Sequence, residues 1–180
     1  MSSVTNSQQP RIRPVLDPDF QPAALANRNF ARAVAASGRP VGVRLALEQA
    51  DGSVFHFATE VLPADHPQAP GNFRHLERFA KFLLWSRGGY RIHYAGPRAL
   101  GAQLAEHYRT PGTGAFDANL MGTRVYERAF EVCVGDEKDL PAARETTRPL
   151  GRHWNGCRLG FDLGASDVKV AAVIDGKPAF

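Results

Sequence analysis

A short segment near the end of the printed sequence combines residue types that can hold a phosphate group. It contains an acid, a turn of small residues and a lysine: Asp162, Gly164, Ala165, Ser166 and Lys169. Small residues let backbone N–H groups approach an anion closely, and the serine hydroxyl adds a donor. The acid suits Mg²⁺ held through water, because this ion keeps much of its hydration. The segment therefore predicts a cradle for nucleotide phosphates and their magnesium ion.

Apolar stretches on both sides supply the elements that must position this turn. Residues 159–163 predict a short buried strand, and residues 168–174 predict a continuous apolar strand. Asp175 and Gly176 then form a dipeptide typical of tight hairpin turns. We expect strand, turn, strand and turn in immediate succession, with Lys169 on the second strand.

The pattern Asp-x-Gly-(Gly/Ala)-(Thr/Ser)-x-x-(Lys/Arg) between two strands resembles the first phosphate motif of the sugar kinase, actin and heat-shock ATPase superfamily. Within it, residues 160–174 are most similar to the ROK family of repressors, open reading frames and kinases, which includes glucokinases. The resemblance covers only the final part of the chain. It implies that the ATP phosphates and Mg²⁺ are surrounded by Asp162, Gly164, Ala165, Ser166 and Lys169.

The same resemblance implies parts that follow the hairpin in the family. These are a catalytic aspartate for the sugar hydroxyl, a second phosphate motif, an adenosine motif and, in many members, a zinc site. We therefore assign no catalytic residue within the chain, expect one downstream of Phe180, and expect the chain alone to be inactive. Ala165 stands where the family usually has glycine, and Asp167 where it often has lysine, which implies a narrower cradle with an acid beside the phosphates.

The residues before the hairpin predict a mixed α/β domain. We expect a helix, a β-hairpin turning at Asp51-Gly52, a helix capped by Asn72, a strand and a further helix, over residues 22–36, 41–61, 72–88, 90–95 and 97–108. A glycine-rich loop at 110–123 and a long strand at 125–134 are expected to follow. Phe73, Phe79, Phe82 and Trp85 fall at helical spacing and predict core positions.

The domain organisation follows from these elements. We expect an extended tail over 1–20, a mixed α/β domain over 21–134, a linker over 135–157 and the incomplete ATPase-type domain over 158–180. The fold class is therefore α/β: an α+β domain followed by the first hairpin of a truncated actin-like, ribonuclease-H-like ATPase domain. His75, Glu77 and His93 lack partners at useful sequence spacing, so we expect surface or interface roles for them.

Composition limits the classes of function. The chain has 180 residues, is 43% apolar and carries a mild formal charge of +4, with basic residues scattered among acids. This pattern argues against a nucleic-acid footprint. No apolar run is long enough to span a bilayer and the start does not resemble a secretory signal, so we expect a cytoplasmic protein without membrane contact.

Three interpretations of the function remain open. The sequence favours the N-terminal part of an ATP-dependent carbohydrate kinase, whose partners are a nucleotide and a sugar. The alternatives are a non-catalytic, sugar-sensing regulator of the ROK type and an α/β interaction module. DNA binding is disfavoured, because the hairpin precedes the main helices rather than following three helices as a wing. The sequence leaves open whether the protein forms a homo-oligomer.

Overall fold

The computed structural model describes residues 8–145 and 153–179, and the chain divides into two compact units, Met1–Glu145 and Thr146–Phe180. The start of the expected tail (1–7), part of the expected linker (146–152) and Phe180 lie outside the described residues. Both units are built from strands, and the first also contains helices, so the predicted α/β class is confirmed. Residues 8–22 hold no helix or strand.

The first unit alternates helices and strands. Its elements are α1 (Ala23–Ala36), β1 (Val41–Glu48), β2 (Val54–Val61), α2 (Gly71–Arg87), β3 (Arg91–Ala95), α3 (Arg98–Arg109), α4 (Thr113–Ala118), a π-helix (Asn119–Tyr126), β4 (Glu131–Gly135) and a 3₁₀ turn (Glu137–Asp139). The predicted helices and strands up to α3 are confirmed, including the hairpin between β1 and β2. Gly88, with a φ of 80°, ends α2 where glycine was expected to stop it.

The four strands of this unit form one sheet in the order β2-β1-β3-β4. β1 is antiparallel to both β2 and β3, whereas β3 and β4 are parallel. β2, β3 and β4 therefore share one direction, and β1 lies between the first two of them. Helix α2 connects β2 to β3, and α3 begins the connection from β3 to β4, as parallel strands require crossovers of this length.

One face of the sheet packs against the helices and forms the core. Alternate residues of β1 and β3 point to this face, as the two-residue period of a strand requires. The core contains Val43, Leu45, Leu47, Ile92 and Tyr94 from the sheet, with Leu76, Ala80, Leu84, Leu100 and Leu104 from the helices. Gly101 lets α3 approach closely, since a Cβ there would lie 2.6 Å from Cδ1 of Tyr94.

The sequence predicted that Asn72 is the N-cap of α2, and this prediction is wrong. The helix begins one residue earlier, at Gly71, and the Asn72 side chain is buried inside it. Its Oδ1 accepts a hydrogen bond from the Leu62 N–H at 3.0 Å, and its Nδ2 donates to the Leu62 C=O at 2.8 Å. The amide thus satisfies both backbone groups of a buried residue, which explains why a polar side chain lies there.

The prediction of a loop at 110–123 and a strand at 125–134 is wrong. Most of this stretch is α4 and the π-helix, and only Glu131–Gly135 is a strand. Two of its glycines, Gly114 and Gly122, allow close packing: a Cβ on Gly114 would lie 2.3 Å from the His107 carbonyl oxygen. Glu127, with a φ of 53°, ends the π-helix in the left-handed region and separates it from β4.

Part of the segment assigned to a linker belongs to the first unit. Arg144 pairs with Val54 through two backbone hydrogen bonds, Val54 N–H to Arg144 O at 2.7 Å and Arg144 N–H to Val54 O at 3.0 Å. Arg44 also contacts Glu137, with 2.7 Å between Nε and Oε1. Residues 135–145 are therefore tied to the sheet rather than free of it.

The second unit is a three-stranded antiparallel sheet of β5 (Cys157–Leu163), β6 (Val168–Ile174) and β7 (Lys177–Pro178). The expected strands and turns are present. The expectation that residues 159–163 are buried is wrong: Leu159, Phe161 and Leu163 are 62%, 64% and 77% exposed. They share one face with Val168 and Val170 on β6, and residues 153–179, the described part of the unit, contain no second layer to cover that face.

Candidate phosphate-binding hairpin

The end of the β5–β6 hairpin brings the predicted site residues together. The last paired residues are Leu163 and Val168, and residues 164–167 form the loop between them. Asp162 is paired with Lys169 directly across the two strands. The pairing of the strands therefore places a carboxylate and an ammonium group where the loop begins and ends, and the loop contains the small residues.

A hydrogen bond from the Gly164 N–H to the Asp167 carbonyl oxygen, 2.9 Å long, closes the loop. A Cβ on Gly164 would lie 2.8 Å from Oδ1 and 2.9 Å from the carbonyl oxygen of Asp167. Such distances are too short for a real side chain. Gly164 is therefore required by its close approach to Asp167 within the loop.

The donors that remain in the loop are unused within the described residues. The N–H groups of Ala165, Ser166 and Asp167, and the hydroxyl of Ser166, donate no hydrogen bond there. Successive free N–H groups in a tight turn can surround an anion without rearranging the backbone. The loop thus offers the donor set that a phosphate needs.

The charges around the loop are close to one another and exposed. Lys169 Nζ lies 3.7 Å from Asp162 Oδ2 and 3.5 Å from Asp167 Oδ2. The Lys169, Asp162 and Asp167 side chains are 69%, 70% and 58% exposed. Exposed ion pairs of this kind contribute about 0–1 kcal/mol, so a bound phosphate can replace the carboxylates as the partner of Lys169.

Two carboxylates and one lysine give this group a net charge of −1. The group therefore favours a phosphate ligand that binds together with a metal cation over a free anion. Within the described residues no cluster of three or more His, Cys, Asp or Glu side chains could hold a metal alone. Mg²⁺ does not need such a cluster, because it commonly binds through one or two carboxylates, waters and the phosphates of a nucleotide. The donor set of the hairpin therefore fits Mg²⁺ bound together with a nucleotide.

His93 has a partner that the sequence reasoning missed. Its Nε2 lies 2.8 Å from Glu48 Oε2, and the same carboxylate accepts hydrogen bonds from Arg91 and Tyr90. Burial alone would raise the pKa of Glu48, but hydrogen bonds from His93, Tyr90 and Arg91 outweigh burial and lower it. The alternation of residues along each strand could be read from the sequence, but the order of the strands, which places β3 beside β1, could not.

His75 lies against aromatic rings instead of at the surface. Its ring stacks on Phe30 at 3.9 Å and meets Phe79 edge-on at 4.9 Å. Burial, and secondly the charge of Arg78, lower its pKa from 6.5 to about 4. The folded state therefore favours the neutral ring, and protonation costs stability.

We expect the free energy of unfolding to fall as the pH is lowered from about 6.5 to 4. Over this interval the unfolded chain binds a proton at residue 75 and the folded chain does not; a loss on the order of 2 kcal/mol follows. Urea denaturation across this range measures it. His75→Phe keeps the ring but cannot titrate, so its profile should be flatter than that of the parent; parallel profiles would contradict the expectation.

Comparison of the chain with models of known protein families, with curated proteins and with solved structures finds no match. In the described part of the chain, no helix combines the length and apolar character that a membrane span needs. The donors, acceptors and charges of the hairpin itself are thus the basis for assigning it a ligand.

Proposed function

We propose that residues 157–179 bind the phosphates of Mg²⁺-ATP as the first hairpin of an actin-like, ROK-type ATPase domain, in an ATP-dependent carbohydrate kinase. The observation that carries the proposal is the loop at 164–167, whose N–H groups and serine hydroxyl are unused among the described residues. Asp162 and Lys169 flank these donors across the hairpin. Neither group alone would suggest a nucleotide; together they supply hydrogen bonds, a carboxylate and a cation at one place.

In this proposal each residue has a separate task. The N–H groups of residues 165–167 hold phosphate oxygens, and Ser166 adds its hydroxyl. Asp162 would hold the magnesium ion through a water, and a bound ion would supply positive charge against the charge that develops on the transferred phosphoryl group. Lys169 exchanges its carboxylate partners for phosphate. The base that takes the proton from the sugar hydroxyl is not assigned to any of the 180 residues.

A second candidate is a non-catalytic, sugar-sensing regulator on the same fold. Asp167 favours it, because this acid lies in the loop itself and 3.5 Å from the Lys169 ammonium. An acid at this position weakens the positive field that would otherwise attract phosphate. A regulator would bind the sugar and form no ADP in its presence, whereas a kinase forms ADP only when sugar is added.

We expect Asp162→Ala to weaken Mg²⁺-ATP binding by the natural gene product about ten-fold, which corresponds to about 1.4 kcal/mol. Isothermal titration calorimetry with Mg²⁺-ATP measures this change. Asp167→Ala should bind equally or more tightly, because it removes an acid and releases Lys169. Lys169→Ala should weaken binding, whereas Lys177→Ala, a matched loss of charge on β7, should not. Equal affinities for the parent and Asp162→Ala would overturn the proposal.

A further inference from the structure

A cavity of about 610 Å³ lies between α1 and α2 in the first unit. Its lining consists of Ala23, Ala24, Asn27, Arg78, Phe79, Lys81, Phe82 and Trp85. This volume lies within the roughly 300–1,000 Å³ typical of sites for small organic ligands. It belongs to a unit for which the hairpin proposal assigns no task.

The aromatic walls of this cavity are exposed where the sequence predicted core positions. Phe82 is 64% and Trp85 is 52% exposed. Together with Arg78 and Lys81 they form a stripe of positions three and four residues apart on one face of α2, so the expected burial of this set is wrong for both aromatics. Phe79 packs inward, its ring 5.0 Å from that of Phe57. The helix thus presents two large aromatic side chains and two cationic ones to solvent. Such a surface suits a molecule that has an apolar body and a charged group.

A buried carboxylate fixes part of this surface in place. The Asp117 side chain is 1% exposed and accepts a hydrogen bond from the Trp85 indole N–H at 3.0 Å. It also accepts from Lys81 Nζ at 2.7 Å and 3.1 Å. The indole ring is therefore held in one orientation although half of it faces solvent, which reduces the entropy lost when a ligand packs on it.

The charge of the lining is positive. Arg78 and Lys81 contribute cations, and the set contains no acidic side chain. Asp117 neutralises Lys81 from behind, whereas Arg78 makes no ion pair or hydrogen bond within the described residues. A molecule with an apolar body and one negative charge satisfies both the walls and the unpaired guanidinium.

We propose that this cavity binds a small aromatic carboxylate, with its ring against Phe82 and Trp85 and its charge toward Arg78. Charge complementarity selects a carboxylate over a neutral or cationic molecule of the same shape. The fixed indole selects a flat ring. All residues that line the cavity belong to the first unit.

The experiment uses para-iodobenzoate, whose iodine quenches tryptophan emission on contact, and its neutral analogue para-iodobenzamide. The chain has two tryptophans, so Trp154→Phe leaves Trp85 as the only tryptophan, whose emission is followed with excitation at a wavelength that tyrosine does not absorb. In this background we expect saturable quenching by the benzoate. Arg78→Gln should raise the Kd for the benzoate about five-fold and that for the amide less than about two-fold. Phe82→Ala should raise both.

Two control variants match these changes outside the cavity. Arg74→Gln removes the same charge from the same helix, and Phe116→Ala removes a phenylalanine of similar exposure, 61% against 64%. Neither residue lines the cavity, and neither variant should change the Kd. Quenching that rises linearly, or equal Kd values for benzoate and amide, would overturn the proposal. So would sedimentation showing a dimer that Phe82→Ala dissociates, since the surface would then contact a second copy.

Discussion

Replacing Lys81 with methionine is expected to lower the free energy of unfolding by about 3 kcal/mol. The Asp117 carboxylate is almost fully buried, and Lys81 Nζ is its cationic partner, at 2.7 Å. Methionine keeps most of the length and apolar contacts of the lysine stem but removes the charge. Among the described residues, the buried carboxylate then keeps only the Trp85 indole N–H as a donor. This is costly because a buried charge without a counter-charge has lost its hydration and gains nothing in return.

Urea denaturation at neutral pH measures this loss. Lys138→Met is the control, because Lys138 lies in the exposed 3₁₀ turn and should change stability by less than about 0.5 kcal/mol. The double variant Lys81→Met, Asp117→Leu should recover most of the stability, since it removes both charges. A single Lys81→Met variant as stable as the parent would show that the indole N–H alone satisfies Asp117.

Asn72→Ala is expected to destabilise the protein by about 3 kcal/mol, because it removes one side chain and leaves two buried backbone groups without partners. The Leu62 N–H and C=O bond to the two ends of the Asn72 amide, and Leu62 itself is 2% exposed. Water cannot replace the amide without entering the core. Chemical denaturation of the full chain, followed by circular dichroism, measures the change.

The chain contains a matched control for this prediction. Asn29 makes the same pair of hydrogen bonds with Gln8, at 3.1 Å from the Gln8 N–H and 2.8 Å to the Gln8 C=O, but at an exposed position. Asn29→Ala should change stability by less than about 0.5 kcal/mol, because water satisfies the released groups. Equal losses at both positions would show that burial does not determine the cost.

The elements set by local signals could be predicted from the sequence. The β1–β2 hairpin follows from alternating apolar residues on either side of Asp51-Gly52, and Gly88 marks the end of α2. These features depend on residues close in the chain, where periodicity and turn chemistry decide the outcome. The same holds for the hairpin of the second unit, whose turns lie at the predicted glycines.

Features set by distant contacts could not be predicted. Gly114 and Gly122 suggested a loop, yet they occur where α4 and the π-helix pass close to other backbone. Asn72 resembled a cap because its position fits one, but its partner is Leu62, ten residues earlier. Phe82 and Trp85 have core spacing on α2, but the helix turns that side away from the sheet. In each case packing outside the element itself decides the outcome, and the local pattern does not show it.

The candidate phosphate site could be predicted from the sequence for the same reason that the hairpins could. Its residues lie within eight positions of one another, so a single turn assembles them without any tertiary contact. The pairing of His93 with Glu48 could not be predicted, because the two residues lie 45 residues apart and meet only through the order of the strands. The alternation of β1 and β3 restricts which residues can meet, but not which strands are neighbours.

The position of β1 between β2 and β3 has a consequence during synthesis. Glu48 and Arg91 lie 43 residues apart in the chain, so β1 emerges from the ribosome long before its second partner strand. At the usual pace of translation this interval lasts roughly 2–9 seconds. Until β3, α2 and α3 are synthesised, Val43, Leu45 and Leu47 lack these partners and face water on a nascent hairpin. The topology therefore exposes the future centre of the core during elongation, when chaperones that bind apolar segments act.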